Sequence, residues 1–211
     1  MITPEDIQDD YSRLADTYDI RWQDFLQTVI DWVIETSMPN QTENKAILDL
    51  GCGTGAVLAA LHDEFHFTDI VGVDVSRAML EKAQKRLPKA RFFQGNIEDN
   101  KDLPEHGARY DIVLSLNILH HLNDPDAHIL QLQHFCKPDG IIYLCDFAPV
   151  SIAMKVADYY WRVCQKNYLK SYQPTELKQK ILKIGGVEAE DILMPDGFWR
   201  LQIYKIRPKN R

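Results

Sequence analysis

Residues 47–55, ILDLGCGTG, set three glycines at alternate positions directly behind an apolar run that carries one aspartate. Glycine permits positive φ and removes the Cβ that would hold a ligand off the backbone, so Gly51, Gly53 and Gly55 read as a strand-to-helix turn with a ligand lying on it. From there on, short β-rich runs alternate with longer segments of helical period, the pattern of a parallel sheet covered by helices. Strands are expected at 46–50, 70–73, 91–94, 111–116, 141–146, 188–193 and 201–206, and helices at 56–64, 76–87, 126–136, 152–169 and 175–184, the last ended by Gly185-Gly186. Ahead of the sheet, 4–16 and 21–36 read as two amphipathic helices placed to cover its ligand edge.

In such a sheet ligands bind beyond the carboxyl ends of the strands, where the strand order reverses. Asp74 follows Gly51 by twenty-three positions, at the end of the second strand, where a carboxylate accepts from the two hydroxyls of a ribose. The ligand is therefore read as a nucleoside derivative. GCGTGA also satisfies the nicotinamide fingerprint, with Ala56 in its last place. Against that reading, Asp49 stands inside the first strand, where it would repel a pyrophosphate and suit an ammonium. No tyrosine is followed four residues later by lysine, which removes one common dehydrogenase class.

The chain has 211 residues with 45% hydrophobic content, enough for one domain with a substantial core. Its 24 Lys and Arg against 31 Asp and Glu give a net charge of −7, which argues against a nucleic-acid partner. The N-terminus lacks the regions of a signal peptide and no window approaches a membrane-spanning apolar run, so a soluble, cytoplasmic protein without stable membrane insertion is expected. Cys52, Cys136, Cys145 and Cys164 form no C-x-x-C pair and read as reduced, structural thiols.

The stretches ILDLGCGTG, VGVDVSRAML, FFQGNIEDN, YDIVLSLNILHHLND and CKPDGIIYLCDF follow one another across 46–147. In this order and spacing they resemble the class I S-adenosylmethionine-dependent methyltransferases, especially the small-molecule group that includes the ubiquinone and menaquinone biosynthesis enzymes. YSRLADTYD resembles the N-terminal segment of that family, whereas 148–211 match only in general layout. The resemblance implies a Rossmann-like α/β fold with a seven-stranded, mostly parallel sheet, an antiparallel last strand, helices on both faces and an N-terminal helical cap. One methyltransferase domain is expected over 1–211, divided into the cap (1–44), the cofactor-binding core (45–147), a substrate lid (148–185) and a C-terminal β-hairpin (186–211).

Roles follow from the resemblance residue by residue. Asp49 faces the methionine ammonium of S-adenosylmethionine, the glycine loop (Gly51, Cys52, Gly53, Gly55) makes room for the methionine and ribose, and Asp74 holds the ribose hydroxyls. Val75 and Met79 flank the adenine, Asn96 and Ile97 meet its edge, Asn117 borders the sulfonium, and Tyr18 closes over the methionine carboxylate. The family usually has aspartate where this chain has Asn96, which implies a weaker bond to the adenine amine, by about 1 kcal/mol.

Methyl transfer is an in-line displacement that needs no covalent enzyme intermediate, and a base matters only when the acceptor holds its proton at neutral pH. His120 or His121, in the loop after the fourth strand, is the candidate base, with a packing role for the pair left open. HDEFH (His62, Glu64, His66) misses the zincin spacing by one position, and HHLNDPDAH (His120, His121, Asp124, Asp126, His128) reads as a turn and helix start, so no metal is expected. Residues 151–170 are the basic-aromatic stretch of the chain, and Tyr160, Arg162 and Lys166 are the candidate substrate contacts. For most positions of this stretch the reading favoured is the plainer one, in which Ile152, Val156, Tyr159, Tyr160 and Val163 are the buried stripe of an amphipathic helix and the charges are solvated. The function expected is methyl transfer to a small molecule by a monomer or homodimer, yielding S-adenosylhomocysteine. A protein or RNA methyltransferase, or a non-catalytic cofactor-binding regulatory partner, is the alternative.

Overall fold

The computed structural model describes residues 2–37, 45–99, 101, 103, 110–195 and 199–209. Seven strands form one sheet: β1 (Ala46–Leu50), β2 (Asp69–Asp74), β3 (Arg91–Gln94), β4 (Tyr110–Leu116), β5 (Cys136–Phe147), β6 (Gly185–Leu193) and β7 (Leu201–Pro208). Their spatial order is β3-β2-β1-β4-β5-β7-β6. The pairs among β1 to β5 are parallel, and β7 runs antiparallel between β5 and β6. The order reverses between β1 and β4, so a crevice opens at the carboxyl end of β1.

Helices α4 (Ala56–Phe65), α5 (Arg77–Arg86), α6 (Pro125–Phe135), α7 (Ile152–Cys164) and α8 (Pro174–Ile181) follow the strands, and α1 (Pro4–Leu14), α2 (Tyr18–Arg21) and α3 (Gln23–Thr36) precede them. Because side chains alternate across a strand, Ile47 joins one core with Val33, Leu58 and Tyr143, while Leu48 joins the other with Leu132, Phe135 and Val113. Burial on both faces explains why β1 reads as a continuous apolar run, and it makes Asp49 a carboxylate inside a core strand.

Three expectations are corrected. The helix expected from 21 breaks at Trp22, leaving the short α2 ahead of α3. β6 begins at Gly185, where the glycine pair was expected to stop a helix; a Cβ on Gly185 would lie 2.2 Å from the Arg207 carbonyl oxygen, so the close approach of β7 demands glycine there. The helix expected to reach 169 ends at Cys164, because the chain beyond it makes bonds that a helix would forbid. Tyr168 Oη and the Ser171 N–H both donate to Asp158 Oδ1, and the Leu169 N–H donates to the His120 carbonyl.

This anchoring also sets the facing of α7. Met154 and Asp158 are its buried residues, whereas Ile152 is 83% and Tyr159 71% exposed, with Val156, Tyr160 and Val163 beside them. The apolar stripe that reads as a buried face points outward.

Candidate active site

The glycine loop is tied across the sheet: the Gly51 and Cys52 N–H groups donate to the Val73 carbonyl at 2.8 and 3.0 Å. All three glycines have positive φ, but a side chain would meet different neighbours at each. A Cβ on Gly51 would sit 2.5 Å from Ile118 Cγ2, and one on Gly55 3.0 Å from Ala83 Cβ, whereas one on Gly53 would meet nothing within 4 Å. Gly51 and Gly55 thus answer to packing, and Gly53 leaves open space beside Asp74. The Gly53 N–H donates to Asp74 Oδ2 and the Ser76 N–H to Asp74 Oδ1, both at 2.8 Å. Each oxygen keeps a further lone pair, as a ribose diol requires. Burial raises the Asp74 pKa, opposed by these backbone bonds.

One cavity lies above this carboxylate, lined by Gly51, Gly53, Asp74, Val75, Asn96, Ile97, Asn117 and Tyr18, with Tyr11 and Ile7 of α1 as its roof. A lobe beside it is lined by Asp49, Cys52 and Thr54 and shares Tyr18, Gly51, Gly53 and Asn117. Asp49 Oδ1 is buried there without a hydrogen-bond partner among the described residues. Burial, and secondarily the charge of Asp74, push the Asp49 carboxyl up to about 7. An orphaned buried acceptor at this point fits the methionine ammonium. Tyr18 is held over the lobe by its neighbour: Asp19 accepts from Thr54 Oγ1 and from Arg86, both at 2.6 Å. Burial drives the Cys52 thiol pKa well up, which leaves it inert as a nucleophile.

Met79 and Gly55 line neither space; Met79 is fully buried in α5, its N–H capped by Ser76. Asn96 Oδ1 accepts from the Glu98 N–H, so one of its lone pairs is already engaged. Asn117 has φ 61° and an Oδ1 buried without a partner among the described residues, and it borders both of these spaces and a third.

That third space is a cavity of about 570 Å³ lined by Tyr11, Tyr18, Trp22, Asn117, His120, His121, Phe147, Trp161, Tyr168 and Trp199. The two histidines sit on a single 3-10 turn, Leu119–His121, and are wired differently. His120 Nδ1 pairs with Asp146 Oδ1 at 2.7 Å, and Asp146 Oδ2 accepts the His120 N–H at 2.9 Å. Its Nε2 is the nitrogen left for the cavity. Both nitrogens of His121 are occupied: Nδ1 donates to the Asn167 carbonyl, and Nε2 lies 2.8 Å from Tyr11 Oη. Burial holds the Tyr11 phenol pKa well up and, with His120 next, the His121 pKa well down. His121 is therefore a neutral ring accepting from Tyr11.

Of the expected substrate residues, Arg162 pairs with Asp158 at 2.7 Å, Tyr160 is 60% exposed on the outer face of α7, and Lys166 is exposed. None of the three lines this cavity. Trp22, Phe147 and Trp199, which do, come from three distant segments and carry no joint signal in the sequence. Asp124 caps α6, Asp126 pairs with Lys180 and Lys183, and His128 bonds Ser115, so the acidic-histidine run is dispersed. No group of three or more metal-ligating side chains occurs among the described residues.

A sheet in this order, with a glycine loop, an orphaned strand carboxylate and the Asp74 carboxylate at its switch point, has the layout of a nucleoside-binding Rossmann-like fold of the S-adenosylmethionine type. Residues 48–142 match the family model described as a methyltransferase domain. A malonyl-[acyl-carrier protein] O-methyltransferase of Halalkalibacterium halodurans is 34% identical over 110 residues, covering 51% of this chain and 41% of that protein. A ubiquinone biosynthesis O-methyltransferase of Coxiella burnetii is 26% identical over 158 residues, covering 71% of this chain and 66% of that protein. The chain thus spans about two-fifths of the first relative's length and just under two thirds of the second's. Magnesium protoporphyrin IX methyltransferase from Synechocystis PCC 6803, solved with bound SAH, shares the fold at a TM-score of 0.67 and 18% identity, over 89% of this chain and 83% of that one. Residues 48–142 thus carry a methyltransferase domain, and the relatives they resemble are O-methyltransferases named for malonyl-[acyl-carrier protein] and for ubiquinone biosynthesis. No helix among the described residues is long and apolar enough to cross a membrane.

Proposed function

We propose that this protein methylates a hydroxyl group of a small molecule, with His120 as the proton acceptor. The observation that carries this reading is His120, paired with the buried Asp146, lining a large cavity that meets the cofactor spaces at Asn117 and Tyr18. S-adenosylmethionine, when bound, supplies an electrophilic methyl group on a sulfonium. The residues of this chain bring the acceptor oxygen into line, exclude water and take up a proton. Alignment alone offers about 7 to 11 kcal/mol. A phenol with pKa ~10 is almost wholly protonated at neutral pH, and a positioned imidazole removes its proton as the new bond forms. Asp146 fixes the proton on Nδ1, leaves Nε2 as acceptor and stabilises the imidazolium that results. Malonyl and ubiquinone-pathway O-methyltransferases among the relatives support an oxygen acceptor.

The test is methyl transfer from radiolabelled S-adenosylmethionine to a panel of phenols, amines, thiols and carboxylic acids by wild type and His120→Ala. Transfer to phenols that falls at least a hundredfold in the variant supports the reading. Transfer to amines or thiols alone, or a fully active His120→Ala, overturns it. Binding of S-adenosylhomocysteine with no transfer to any class would favour a non-catalytic partner.

A further inference from the structure

The acceptor cavity has one polar end, one basic end and a continuous aromatic wall between them. The Arg21 guanidinium stands 5.7 Å from the Trp22 ring centroid; Trp22 meets Trp199 edge-on at 5.3 Å; Trp199 stacks on Phe147 at 5.4 Å; and Phe147 lies 5.0 Å from the His120 ring. Trp161 extends the wall, stacked on Trp199 at 5.4 Å with only 12° between their planes. Flat apolar walls of this kind select a flat ligand.

The charges along this cavity are few. Asp10 and Arg13 pair with each other and cancel. Arg21 has no carboxylate partner among the described residues, and Asp19, the nearest acid on its own helix, is committed to Arg86 and Thr54. In a chain of net charge −7, the one uncompensated fixed charge among the described residues lining the acceptor cavity is therefore positive. A free guanidinium held against an aromatic face offers bidentate donors to a planar oxyanion.

We infer that the acceptor is an aromatic hydroxy acid whose ring lies along the tryptophan wall, its carboxylate on Arg21 and its hydroxyl toward His120. The inference rests on the proposed hydroxyl methylation and adds to it the substrate class and a specificity residue, Arg21. Arg162 and Lys166, the cations expected from the sequence to anchor an anion, take no part: neither lines the cavity, and Arg162 is engaged with Asp158.

The experiment is calorimetric titration of the S-adenosylhomocysteine complex with 4-hydroxycinnamate and with its neutral amide, on wild type, Arg21→Gln, Arg21→Lys, Arg162→Gln and Lys166→Gln. Wild type should bind the acid about tenfold more tightly than the amide, as a charge-assisted contact at a partly exposed site allows. Arg21→Gln should erase that preference, Arg21→Lys should keep part of it, and Arg162→Gln and Lys166→Gln should keep all of it, with S-adenosylhomocysteine affinity unchanged throughout. Equal binding of acid and amide to wild type, binding of neither, or a preference that survives Arg21→Gln overturns the inference. Methylation of neutral phenols without charge preference would overturn it and leave the hydroxyl reading standing. Arg21-dependent binding of the acid with no methyl transfer would do the reverse.

Discussion

His120 and Asp146 form a buried pair in which a single carboxylate holds both the imidazole and the backbone of the same residue: Oδ1 meets Nδ1 at 2.7 Å and Oδ2 meets the His120 N–H at 2.9 Å. The Phe147 N–H adds a third bond to Oδ1 at 2.7 Å. An acceptor with three donors around it fixes the ring's orientation and its tautomer together. Asp146→Asn offers an amide to one of these donors and favours the proton on Nε2, where it blocks proton uptake. Both His120→Ala and Asp146→Asn are expected to lower kcat by about 10²- to 10⁴-fold. His121→Ala should cost less, since both of its nitrogens are already engaged. S-adenosylhomocysteine affinity, measured on each variant, should stay near wild type. A His121→Ala variant as impaired as His120→Ala would reverse the assignment.

If Asp49 meets the ligand ammonium, cofactor binding is expected to depend on pH. Its carboxyl is raised to about 7 in the unliganded fold, against an unfolded value near 3.8. The folded state therefore binds the extra proton between these values, so this group's contribution to stability is present below pH ~4 and is lost as pH rises through about 7. A ligand ammonium reverses the preference and holds Asp49 ionised, so below pH ~7 binding must release a proton. The dissociation constant for S-adenosylhomocysteine should rise by roughly tenfold per unit as pH falls below 7. Asp49→Asn should flatten that dependence while weakening binding overall. Titration in buffers of different ionisation enthalpy measures the released proton directly, and an affinity constant from pH 5.5 to 8 would refute the role.

Asp74 supplies the simplest check of the cofactor site. S-adenosylhomocysteine at a hundredfold excess over its dissociation constant stabilises a protein by about 2.7 kcal/mol, which for this length corresponds to roughly 5 to 11 °C in Tm. Asp74→Ala removes the acceptor beside Gly53 and should abolish most of that shift. NADH should give no shift with either protein; stabilisation by NADH alone would overturn the cofactor assignment.

The glycine loop, Asp49, Asp74 and the order of strands and helices were legible in the sequence because each rests on local chemistry: φ, alternation, a carboxylate at a strand's end. The antiparallel insertion of β7 was legible through resemblance alone. What the sequence concealed lies in contacts between distant segments. Whether His120 or His121 has a free nitrogen depends on Asp146, Tyr11 and Asn167, up to 110 positions away. The amphipathic period of α7 is plain, but period does not say which stripe faces inward. Asp158, a lone acid among cations, decided it, because Tyr168, Ser171 and Arg162 converge on its carboxylate.

The same convergence makes Asp158 a stability determinant that acts on the acceptor cavity. Its side chain is nearly buried, and losing it would strand the Ser171 N–H and leave the Tyr168 hydroxyl with Ser171 Oγ alone. Asp158→Ala should destabilise by about 3 kcal/mol, in the range for removing one partner of a buried charged network, and lower Tm by roughly 6 to 12 °C. Arg162→Gln removes the exposed partner, whose side chain is 44% accessible, and should cost about 1 kcal/mol or less. Because Tyr168 and Asn167 line the acceptor cavity, Asp158→Ala should also raise the acceptor KM while leaving S-adenosylhomocysteine affinity unchanged. Asp158→Asn, which keeps one acceptor oxygen, should fall between the two in Tm. If Asp158→Ala melts within 2 °C of wild type, the segment after α7 is held by its apolar contacts and the account of why that helix ends at Cys164 fails.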